Sequence, residues 1–155
     1  MRVSKSEEYG LRLVMSLATR GGQLTIRELA ELEDLPDTTV AKVIGRLRRA
    51  GLVGAERGRN GGYTLTRPAE EVSLASVVAA FEDQVFGRDF CDRMHPGEGR
   101  CAHSASCGLK PVWHGLTAVI GNFLAGITVA DLVADATTSP DCDGELLPVV
   151  AARRG

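Results

Sequence analysis

The stretch DTTVAKVIGRLRRAGLVGAERGRNGGYTLTR, residues 37–67, decides the fold. Val40, Val43, Ile44 and Leu47 recur in it at three- and four-residue steps, the pattern of a helix with one buried face. Asp37 offers an N-cap and Gly51 a left-handed terminator, so the helix is expected to reach Ala50. Thr38, Thr39, Lys42, Arg46 and Arg49 then fall largely on the opposite side. After Gly51 the pattern becomes strand-like over 52–56 and again over 63–66, with Arg57-Gly-Arg-Asn-Gly-Gly62 between. Gly58, Gly61 and Gly62 permit positive backbone dihedrals and Asn60-Gly61 is a strong turn signal, so the segment predicts a hairpin with Arg57 and Arg59 at its tip. A nucleotide-binding loop would need a P-loop lysine and a following helix, and neither is present.

Upstream, Pro36 limits a preceding helix, and Thr25-Ile-Arg-Glu28 has capping-box spacing for its start, with Leu29, Ala30 and Leu32 as its apolar side. Tyr9, Leu13 and Leu17 mark an earlier helix over 5–19 that ends at Gly21-Gly22. Two short helices joined by a tight turn, the second basic on its free side, form the helix-turn-helix layout, and the hairpin adds a wing. Charge supports a phosphate-facing role. Residues 42–67 hold seven bases (Lys42, Arg46, Arg48, Arg49, Arg57, Arg59 and Arg67) against Glu56 alone, although the whole chain carries a net charge of −2.

Downstream, residues 73–82 read as a capped apolar helix supporting the winged domain. Residues 87–111 lose all periodicity and contain three of the four cysteines, which suits a loop folded round a ligand. Val112, Leu116, Val119, Ile120, Phe123 and Leu124 then form a stripe wide enough for a partner helix, and 127–133 adds a short helix. The expected fold is mainly α with a small β-hairpin wing: a winged helix-turn-helix domain plus a long dimerisation helix. Its divisions are 1–67 for DNA binding, 68–86 for the supporting helix and connection, 87–111 for the cysteine loop, 112–136 for the dimerisation helix and its short successor, and 137–155 for a flexible tail.

No basic leader with an uninterrupted apolar core opens the chain and no run of about 18 apolar residues occurs, so a cytoplasmic address without membrane contact is expected. In a reducing compartment clustered cysteines point to metal or redox chemistry rather than structural disulfides. Cys91, Cys101 and Cys107 have nine and five intervening residues. Three soft thiolates suit an iron-sulfur cluster, zinc completed by His95 or His103, or a thiol-disulfide switch; the close cysteine pairs usual in structural zinc sites are absent. Cys142 lies apart in the acidic tail. With no dinucleotide fingerprint, no nucleophile-base signature and few aromatics to line a cavity, the chain is not expected to be an enzyme.

The opening MRVSKSEEYGLRLVM, Leu29-Ala30 before the turn, Leu47-x-x-Ala-Gly-Leu-Val53, Arg59-Asn-Gly-Gly-Tyr63, the three-cysteine loop and Ile127-Thr-Val-Ala-Asp-Leu-Val133 together resemble the IscR/NsrR family of bacterial iron-sulfur transcription regulators. The resemblance implies a homodimer on double-stranded operator DNA, with an iron-sulfur cluster held by Cys91, Cys101 and Cys107. It further implies a 4Fe-4S centre, with 2Fe-2S as the alternative. Cys107-Gly-Leu-Lys110 looks like the nitric-oxide-sensing NsrR branch, since the IscR branch places a histidine where this chain has Lys110. In that branch an acidic side chain from the first helix of the other subunit completes the cluster, and Glu8 occupies the matching position. The nine residues between Cys91 and Cys101 depart from the family's usual five, which leaves iron-responsive and redox-responsive regulation as alternatives, together with a zinc-bound or apo repressor. Thr38, Thr39 and Lys42 are assigned to base edges, and Arg46, Arg49, Arg57 and Arg59 to phosphates or minor groove.

Overall fold

Ser4 starts the first helix in the computed structural model, which describes residues 4–56, 58, 61–81 and 107–138. Helix α1, Lys5–Arg20, opens with a capping box in which Ser4 and Glu7 satisfy each other's backbone amides, and it closes on Gly21 at φ 61°. Helix α2, Ile26–Glu33, starts with the Thr25–Glu28 capping box read from the sequence. The amide and hydroxyl of Thr25 both donate to Glu28, which holds its carboxyl below the ordinary carboxylate range.

Asp34 takes the left-handed turn after α2 at φ 52°, and Pro36 then leads into α3, Asp37–Arg49. The expected N-cap at Asp37 is thus displaced by one position. Pro36 is the capping residue and makes no side-chain cap, while Asp37 is the first helical residue, its charge favourable at the positive end of the helix dipole. The C-terminus follows expectation. The Gly51 amide donates to the Arg48 carbonyl at 2.9 Å and the Leu52 amide to that of Leu47 at 3.0 Å, a Schellman pair made possible by φ 73° at Gly51.

Strands β1, Val53–Glu56, and β2, Gly62–Leu65, pair antiparallel with Val53 opposite Leu65 and Glu56 opposite Gly62. Backbone bonds between Leu24 and Tyr63, of 2.8 and 3.0 Å, tie the wing to the approach to α2. A Cβ on Gly62 would lie 3.0 Å from the Leu24 backbone, so this close seam favours glycine. A 3-10 turn, Ala69–Glu71, leads to α4, Leu74–Ala79, which is shorter than the expected helix.

Helix α5, Leu109–Ala125, begins three residues before the expected start. Pro111 had marked loop, but it sits in the helix's first turn, where its missing amide leaves no intrahelical bond unmade. Helix α6, Val129–Thr138, enters the stretch expected to be tail. It returns to the winged domain: Leu74 donates to Ile127 and Val129 to Val72, both at 2.9 Å. Val129 joins Leu13, Leu29, Val40, Ile44, Leu47, Val72 and Phe81 in one core beneath α1–α3. No helix among the described residues is long and apolar enough to cross a membrane.

Candidate nucleic-acid interface and metal ligands

Burial of Val40, Val43, Ile44 and Leu47 fixes the roll of α3 and therefore what it presents outward. Thr38, Lys42 and Arg49 are exposed on the free face and Thr39 is half-exposed, so four of the assigned contacts remain together. Arg48, which the sequence reading counted only as local charge, is also exposed. Arg46 is set apart. It is half-buried, its Nη1 donates to the Phe81 carbonyl at 3.5 Å, and its guanidinium lies 5.8 Å from the Phe81 ring centroid. Arg57 and Arg59 lie outside the described residues.

Gly45 shares the free face, one helical turn from both Lys42 and Arg49. A Cβ there would meet only the Arg49 guanidinium, at 3.8 Å. Gly45→Ala is therefore expected to raise stability by about 0.5–1 kcal/mol in urea melts through the lower backbone entropy of alanine. Operator affinity is expected to fall if this face reads DNA, because the added methyl would stand between it and the groove. Unchanged affinity would place this part of the face away from DNA.

The candidate metal ligands divide differently. Cys107 is a half-exposed free thiol immediately before α5; Cys91 and Cys101 lie outside the described residues, as do His95 and His103. Glu8 is exposed, with a 4.0 Å approach to Arg12. Its neighbour Glu7 is only 2% exposed, accepts from the Ser4 amide at 2.6 Å and leaves Oε1 without a hydrogen-bond partner. The 100° between successive helical residues points the two carboxylates in different directions. Among the described residues no three metal-ligating side chains converge. An accessible thiol and an accessible carboxylate nevertheless fit the donor chemistry of an iron-sulfur cluster shared between chains.

Arg12 was not singled out in the sequence. Its Nε donates to the Glu33 carboxylate at 2.8 Å and its Nη2 to the Glu33 carbonyl, while Ser16 donates to the other carboxylate oxygen. Glu33 is the last residue of α2, so this partly buried cluster fastens α1 to the turn of the helix-turn-helix. Spacing alone gives no signal for an interaction across 21 positions.

Known proteins share this arrangement over most of the chain. Protein aau3 of Rhizobium meliloti (strain 1021) is 37% identical over 134 residues, covering 86% of this chain and 85% of that protein. The HTH-type transcriptional repressor NsrR of Streptomyces coelicolor is 37% identical over 143 residues, covering 90% and 93%. The solved structure of T. potens IscR superposes with a TM-score of 0.67 at 26% identity, covering 93% of this chain and 94% of that one. The mainly helical winged fold is thus the fold of known regulators. The Rrf2 family profile, described as iron-dependent transcriptional regulator, matches residues 3–135, and the chain belongs to this family of transcriptional regulators.

Proposed function

We propose that the chain is a dimeric repressor whose grip on operator DNA is set by an iron-sulfur cluster responsive to nitric oxide. The observation that carries this reading is the path from α1 to the reading helix. Glu8 sits on α1, Arg12 one turn later binds both the side chain and the backbone of Glu33, and Glu33 leads through Asp34 and Pro36 into α3. A tie between Glu8 of one protomer and a cluster held by Cys91, Cys101 and Cys107 of the other would fix α1, and with it the spacing of the two reading helices.

The exposed row Leu109, Val112, Leu116, Val119 and Phe123 supplies the dimer seam in this reading. Thr38, Thr39 and Lys42 address base edges, and Arg49, Arg57 and Arg59 hold phosphates or minor groove, with half-sites roughly 34 Å apart. A cluster held by Cys91, Cys101 and Cys107 would supply the nitric-oxide-reactive centre. Cys107-Gly-Leu-Lys110 and the 37% identity to the S. coelicolor repressor favour the nitric-oxide branch. Without that tie Glu8 would no longer hold α1, and a two-state dimer would shift towards the form with misplaced reading helices.

The test is anaerobic binding to genomic fragments with visible absorbance recorded throughout. Coloured, cluster-loaded protein is expected to bind at least about tenfold more tightly than nitric-oxide-treated protein or the Cys101→Ala variant. Colourless protein that binds equally in all three preparations would leave an ordinary winged-helix regulator.

A further inference from the structure

One aromatic ring joins the three parts that such a switch must connect. Phe81 is fully buried, and the chain passes directly from it into the segment bearing Cys91 and Cys101. One side of its ring lies against α1 so closely that a Cβ on Gly10 would be 2.3 Å from Phe81 Cε2. Gly10 is two residues from Glu8. Arg46 of α3 also engages the residue, with its guanidinium 5.8 Å from the ring centroid and Nη1 donating to the Phe81 carbonyl. Among the described residues Arg46 forms no ion pair with a carboxylate.

We propose that Arg46 is a positioning residue that couples the cysteine-bearing segment to the reading helix through Phe81, and not primarily a phosphate contact. The inference rests on the cluster-switch reading above. Its physical basis is the kind of contact made. The acceptor is a backbone carbonyl, so displacement of the chain at residue 81 moves it directly, and a close-packed ring offers little slack. The guanidinium is planar, able to stack on the ring and donate to the carbonyl at once, which an ammonium does poorly. The exposed bases of the same helix, Lys42, Arg48 and Arg49, have no comparable tie to the core among the described residues.

Arg46→Lys and Arg46→Met discriminate the two roles. Operator affinity of cluster-loaded and cluster-free protein is measured for each variant and the parent at several salt concentrations, with absorbance confirming cluster content. A coupling residue predicts that both variants keep the cluster absorption and the salt slope. The loaded-to-free affinity ratio, at least about tenfold in the parent, collapses in both to within about threefold. A phosphate contact predicts that Arg46→Lys behaves as the parent, while Arg46→Met weakens both states alike and shallows the salt slope by about one unit; that result overturns the proposal. Should Arg46→Met fold poorly, Arg46→Lys alone decides, because it keeps the charge and loses the planar contact. A parent protein with no cluster-dependent difference overturns the switch itself, and the coupling with it; a parent that switches beside an Arg46→Lys variant that switches equally overturns only the coupling.

Discussion

Val119→Asp is expected to split the proposed dimer and to lower operator affinity by at least about 100-fold. Leu109, Val112, Leu116, Val119 and Phe123 follow steps of three and four, and none of α5 is buried within its own protomer. Val119, the most exposed of the row at 66%, would lie inside the seam of the proposed dimer. An Asp there removes apolar burial worth about 1.5–3 kcal/mol per copy and places a carboxylate where its desolvation costs several kcal/mol more. The sum exceeds the 2.8 kcal/mol that corresponds to about 100-fold in an equilibrium constant. Each protomer keeps its fold, because Val119 supports nothing within it, so circular dichroism should not change. Sedimentation and operator binding should change together, since a monomer engages one half-site. A variant that still sediments as a dimer would remove α5 as the seam.

Sequence patterns gave the local elements well and the tertiary assignments poorly, for a reason visible in particular residues. The α3 face, the Thr25–Glu28 box, Gly51 and the hairpin are written in spacings of two to four residues, which periodicity and capping chemistry capture directly. The side-chain direction of Arg46 depends on Phe81, 35 positions away, and the role of Arg12 on Glu33, 21 positions away. On a helical wheel Arg46 belongs with Lys42 and Arg49; only the packed core turns it aside. Pro111 shows the complementary limit. The residue breaks a helix interior but suits a first turn, and its local sequence does not say which applies. Of the candidate metal ligands, spacing conveys only donor chemistry: whether three thiolates converge depends on the path of the loop, in which Cys91 and Cys101 lie outside the described residues.

Gly10→Ala is expected to destabilise the fold by about 1–3 kcal/mol, although helix propensity alone would favour alanine by roughly 0.8–1.0 kcal/mol. The new methyl would fall 2.3 and 2.4 Å from two atoms of the Phe81 ring, so that something must shift to admit it. The ring is fully buried and Arg46 lies close by, so a shift of the ring disturbs its packing and the clash is expected to be passed to α1 or α3. Urea unfolding should show a lower midpoint at unchanged slope. Phe81→Leu should relieve the clash, making the double variant more stable than the sum of the single changes by about 0.5–3 kcal/mol. Additive effects would mean that the ring finds room elsewhere. In that event α1 and α3 would not be rigidly joined through Phe81, and the coupling assigned to Arg46 would lose its mechanical basis.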